Sequence, residues 1–189
     1  MIRRLLATLA LLLAASPAPA AGWGLEQLMA TLADNRGGRV SFVETRYMAL
    51  LDAPIESSGE LVYVAPARLE RHTVKPRPET MVLDGDTLKL SREGQAHTVR
   101  LRDYPEAAAL IDSIRATLAG DRAALEKTYA LKLSGNAERW ALDLLPADPA
   151  VARLVSRIRL AGNGGEVREV EIFQADGDRS VMRIGKPQR

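Results

Sequence analysis

The sequence predicts a mainly β fold of the α+β kind. One strongly curved antiparallel sheet of about eleven strands is expected, with helices laid over its concave face. Three observations carry this expectation. Apolar residues recur with a period of two through most of the chain. Turn dipeptides such as Asp84-Gly85 and Glu93-Gly94 separate those runs at hairpin spacing. Helical periodicity is confined to two regions, one before the first strand and one near the middle. An open sheet of so many strands must curl, and its hollow is where amphipathic helices can bury their apolar stripes.

The chain begins with a segment that reads as an address rather than as fold. Met1 to Arg4 is a positive start, LLATLALLLAA is an apolar run, and Ala18 and Ala20 have the small-residue spacing of a cleavage site. This is the pattern of a secretory signal peptide over residues 1–20, leaving 21–189 as one domain. The apolar run is shorter than the roughly 20 residues a membrane-spanning helix needs. In 24–35, Leu25, Leu28, Met29 and Leu32 form one helical stripe, ended by Arg36-Gly37-Gly38. Strands are then expected near 39–50, 57–65, 67–75, 79–84, 86–92 and 96–102. In the stretch GELVYVAP, Leu61, Tyr63 and Ala65 share one face while Val62 and Val64 share the other. One face meets the hollow, and the other needs cover from a neighbouring strand or from lipid. The second helical region, YPEAAALIDSIRATLAG, places Leu110, Ile111, Ile114 and Leu118 together, with Pro105 and Gly120 as its punctuation. Asp121 can cap a short helix over 121–127. Strands resume near 128–134, 138–145, 153–161, 166–174 and 179–185, with PADPA read as a turn.

Composition excludes several chemistries. The 26 Lys and Arg face 24 Asp and Glu, and Arg3 and Arg4 lie in the address segment. The remainder is balanced, so no electrostatic footprint for nucleic acid exists. The absence of cysteine excludes a disulfide, thiol chemistry and a lipid-modified cysteine. His72 and His97 fall on different strands without metal-ligand spacing, so no metal or other cofactor is expected. No Gly-x-Ser-x-Gly elbow is present. The two Asp-Gly-Asp runs lack the alternating oxygen ligands of a calcium loop and read as hairpin turns. What remains is an excess of aliphatic side chains on both strands and helices. The ordinary reading of each is core; the functional reading is that some line a cavity for an apolar ligand, and no catalytic residues are expected.

In its order of elements the chain resembles the periplasmic LolA-type lipoprotein carriers. VSFVETRYM is similar to the family's opening strand. SSGELVYVAPARLERHTVKPRPETMVLDGDTLKL is similar to its G-x-L-x-V-x-x-P strand, with Tyr63 at the valine position, its short following strand and its Asp-Gly hairpin. The resemblance implies a half-open barrel with helices as a lid, and a cavity that takes the acyl chains of lipoproteins from an inner-membrane donor to an outer-membrane acceptor. It implies a monomer that binds cargo reversibly. An acyl chain costs about 0.8 kcal/mol per methylene in water, so such a carrier must supply an apolar hollow. The sheet-side candidates are Phe42, Leu61, Tyr63, Leu69, Met81, Leu83, Leu88 and Leu90. The lid candidates are Leu110, Ile111, Ile114 and Leu118. The family usually has an arginine before the strand-ending proline that holds the lid closed. Ala65 stands there, with Arg68 and Arg71 nearby. Two other readings stand beside the carrier: a periplasmic regulator that senses lipid or lipoprotein, and an enzyme acting on lipid or sugar.

Overall fold

Every run with period-two patterning becomes a strand in the computed structural model, which describes residues 23–187. The signal peptide expected over 1–20 lies outside the described residues. Helix α1 (Leu25–Ala33) leads into β1 (Gly37–Tyr47), β2 (Ile55–Val64), β3 (Arg68–Lys75), β4 (Glu79–Asp84), β5 (Thr87–Arg92) and β6 (Gln95–Arg100). A helical connection follows, comprising α2 (Pro105–Leu118) and α3 (Arg122–Glu126). The chain then forms β7 (Tyr129–Asn136), β8 (Arg139–Pro146), α4 (Pro149–Ala152), β9 (Val155–Asn163), β10 (Glu166–Gln174) and β11 (Arg179–Pro187). The strands make one antiparallel sheet in the order β6-β5-β4-β3-β2-β1-β11-β10-β9-β8-β7. β1 and β11 join its two halves, and β6 and β7 are its free edges. The fold is a half-open barrel.

Half of the concave face is filled. The α1 stripe of Leu28, Met29 and Leu32 packs with Trp140, Leu142 and Leu144 of β8 and with Ile158 and Leu160 of β9. These side chains are essentially sealed from water, each removing apolar area worth about 25 cal/mol per Å². The end of α2 is fastened to α1 at Gly120, which takes a φ of 66°. A Cβ there would overlap the Met29 carbonyl and the Ala33 backbone, so only glycine fits.

The differences from expectation lie at element ends and have local causes. PADPA, expected as a turn, holds the short α4. The Asp148 side chain accepts the Ala150 N–H at 2.7 Å and Pro149 occupies the first turn. β6 stops at Arg100 rather than 102. The Leu101 N–H donates to the Asp86 carbonyl at 2.8 Å and the Arg102 N–H to its side chain at 3.0 Å, curling Leu101–Asp103 into a 3-10 turn. β1 ends at Tyr47 rather than 50, and the Ala49 N–H is taken by the Asp178 carboxylate at 2.9 Å.

Candidate functional site

Strand register decides which side chains share the concave face. One row runs Tyr63–Leu69–Leu83–Leu88 across β2 to β5. The next runs Val40–Leu61–Arg71–Met81–Leu90. On the other half, Leu142–Leu160–Val170–Met182 continues across β8 to β11 and reaches Glu44 on β1. Side chains in each row point the same way because facing residues in an antiparallel pair share a side.

Where α1 and α2 do not fill the face, a hollow of about 370 Å³ remains. That lies within the roughly 300–1,000 Å³ of small-molecule sites. Leu61, Tyr63, Leu69, Met81, Leu83 and Leu88 line it from the sheet, and Ile111, Ile114 and Leu118 line it from α2. All nine are among the sheet-side and lid candidates of the sequence. That set does not include Val40 of β1 or the wall from the far half, including Leu160, Val170, Ile172, Met182 and Ile184. The same period-two pattern in β10 and β11 was the signal that could have found them.

Three expected residues lie outside the lining. Phe42 is buried at 2% exposure beneath the Arg71 guanidinium, which stacks on its ring at 4.6 Å. Leu110 packs against the filled half of the face. Leu90 sits two residues beyond Leu88, opposite Met81 and His97, past the reach of the hollow. Of the second apolar face of GELVYVAP, Val64 remains 48% exposed.

Charged residues also border the hollow, namely Glu44, Glu70, Arg71, Glu166 and Arg168, and the pairing of Glu44 with Arg71 is the one that sequence reasoning does not reveal. Glu44 is buried, and its carboxylate accepts from Arg71 Nη2 at 2.7 Å. Ser57 donates to the same carboxylate oxygen at 3.3 Å. The alternation Val40, Phe42, Glu44 in β1 was the available clue. Tyr63 donates to the Pro66 carbonyl at 3.2 Å, and burial raises its phenol above the ordinary range. Glu70 alternates away from Leu69 and Arg71. Its contact with His72 at 2.8 Å, then its hydrogen bond from Arg68, hold its carboxyl below the usual value.

Neither arginine near Ala65 reaches the helices. Arg68 pairs with Glu70 and Asp84, and Arg71 pairs with Glu44. The contact between helix and sheet comes from the helix instead. Arg115 of α2 donates to the Gly85 carbonyl in the β4–β5 turn at 2.6 Å and is braced by Asp112. Arg115→Ala is expected to speed amide hydrogen exchange along α2 several-fold at a nearly unchanged melting temperature, because a half-exposed tether stabilises locally by only about 1 kcal/mol. Unchanged exchange would show that helix packing alone sets the position of α2.

A second depression, bounded by α2, α3 and the β4–β5 turn, carries Asp86, Arg102, Asp112 and Lys127 on its walls. Among the described residues, no group of three or more His, Asp or Glu side chains is placed to hold a metal ion. The fold and the first hollow together define a half-open β-barrel with an apolar cavity under a helical cover. The model of the outer membrane lipoprotein carrier protein LolA-like family matches residues 14–185, and the chain belongs to that family. It is similar to an outer-membrane lipoprotein carrier protein of Dechloromonas aromatica (strain RCB), with 33% identity over 138 residues. That match covers 72% of this chain and 63% of the relative, so the chain spans less than two thirds of that protein. Among solved structures, a LolA superfamily protein from Nitrosomonas europaea superposes with a TM-score of 0.46 at 12% identity, over 87% of this chain and 93% of that one. The MucA/MucB complex of Pseudomonas aeruginosa also gives a TM-score of 0.46, at 13% identity, over 87% of this chain and 58% of that one.

Proposed function

We propose that the protein is a periplasmic carrier. It binds the acyl chains of lipoproteins, or of another lipid-linked molecule, in the apolar hollow and moves them from the inner to the outer membrane. Uptake and release are reversible and involve no covalent step. An inner-membrane complex donates the cargo, an outer-membrane acceptor receives it, and the carrier works as a monomer after its signal peptide is removed. The observation that carries this reading is the unfilled half of the concave face. Aliphatic, Met and Tyr side chains from both halves of the sheet and from α2 surround a space that the chain's own core does not occupy. A folded protein normally closes such space, since an unfilled apolar cavity forfeits packing. Family membership supports the same reading.

Native mass spectrometry of the protein purified gently from the periplasm of its own host tests it. The expected result is an added mass that fragments to an acylated molecule. A bare-chain mass together with no uptake of a fluorescent acyl probe would overturn the carrier reading.

A further inference from the structure

The hollow is lined mainly by apolar side chains; Glu70, Glu166 and Arg168 also border it, and Glu44 and Arg71 meet in its wall, where each interrupts a row of apolar residues. Glu44 follows Leu142, Leu160, Val170 and Met182. Arg71 sits between Leu61 and Met81. Taking both charges out of water costs several kcal/mol per ion, and an aliphatic pair of the same volume would serve a purely structural wall as well or better. The pair is also built rather than incidental. Gly59 lies opposite Phe42 and leaves the ring uncovered, and the guanidinium occupies that space. Nη2 donates to Glu44 and to Ser57, and Nε donates to Thr73 at 3.3 Å. Nη1 makes no hydrogen bond among the described residues, while Arg71 and Glu44 both line the hollow. Two N–H donors are thus left over on a guanidinium already paired with Glu44, whose other carboxylate oxygen lies 3.8 Å from the half-exposed Arg46.

The geometry points to a polar subsite here that takes the carbonyl oxygen of an esterified acyl chain, with Arg71 Nη1 as donor and Glu44 as its orienting partner. The inference rests on the acyl-carrier reading and specifies its ligand. A neutral ester needs donors without net charge, which is what the pair offers. A free fatty acid is ionised at neutral pH and would bring its carboxylate close to Glu44, where like charge and desolvation both oppose it. The hollow therefore selects acyl esters over free acids of equal chain length.

The test is displacement of a fluorescent acyl probe by 1-palmitoylglycerol and by palmitate at neutral pH. Desolvation of an ionised carboxylate beside Glu44 predicts about a tenfold or greater preference for the neutral ester in the wild-type protein. The double variant Glu44→Gln/Arg71→Met keeps volume and leaves no lone charge. It is expected to bind the probe and to lose the preference, with an unchanged circular dichroism spectrum. Equal displacement by ester and acid in the wild type, or a preference that survives in the double variant, would overturn the subsite while leaving the carrier intact. Failure of the wild type to take up any acyl probe would overturn both.

Discussion

Leu69→Glu and Ile114→Asp each lower the affinity for an acyl probe by about a hundredfold or more, while the circular dichroism spectrum stays that of the wild type. Leu69 is in the row Tyr63–Leu69–Leu83–Leu88, and Ile114 lines the same hollow from α2. Both side chains are half-buried; Leu69 stands beside the empty space, and Ile114 lines that space while also packing against the filled core. In the empty protein an introduced carboxylate can remain hydrated, so the fold tolerates it. Once an acyl chain enters, the same carboxylate must give up water against methylenes with no partner, at several kcal/mol. Each 1.4 kcal/mol is a factor of ten in affinity, which sets the size of the loss. Probe titration followed by fluorescence checks it. Binding at wild-type affinity by both variants would show that the hollow is not where acyl chains lie.

Trp140→Ala produces the opposite separation, with a large loss of stability and little change in which acyl molecules bind. Trp140 is 1% exposed, and its indole Nε1–H donates to the Gly164 carbonyl at 2.9 Å. Its ring lies against Gly162, where any Cβ would collide with it. Truncating a buried tryptophan costs about 3–5 kcal/mol through lost transfer energy and an unfilled cavity. The Gly164 carbonyl also loses its donor. In a domain of this size that lowers the melting temperature by about 10 °C. Trp140 is outside the lining of the hollow, so the ester preference of the surviving folded protein should persist. Urea unfolding monitored by circular dichroism gives the first quantity and probe displacement the second. A cost below about 1 kcal/mol would mean that α1 and β8 close over the gap.

The strands were legible because two independent signals agreed. Apolar residues alternated, and residues able to adopt positive φ stood between the runs, as Gly85 at 56° and Gly94 at 78° do in their hairpins. Parity then tells which side chains share a face, and Leu61, Tyr63, Leu69, Met81, Leu83 and Leu88, grouped that way, border one hollow. Parity does not tell how far along that face the helices extend. Phe42 and Leu110 therefore read like lining residues although a guanidinium covers one and the filled core takes the other. α4 was hidden for a different reason. Four residues are too few to show a helical period, and only the Asp148-Pro149 cap pair announced it. The Glu44–Arg71 pair was hidden because its partners are 27 positions apart. Alternation placed both on the concave side, but only the register brings Arg71 across Gly59 to Glu44.

The helical cover is also the sole stretch of chain joining the two free edges of the sheet. β6 leaves one edge at Arg100 and β7 begins the other at Tyr129, with α2 and α3 between them. α2 has 14 residues, which makes it a strut of about 21 Å. Its last turn is tied to the β4–β5 turn through Arg115, and the chain just beyond it abuts α1 at Gly120. Spreading the edges to admit a bulkier guest must therefore pull on the strut, and displacing the strut must relax the edges. Mouth width and roof position form one mechanical variable, so a guest that props open the roof also sets the aperture through which it can leave.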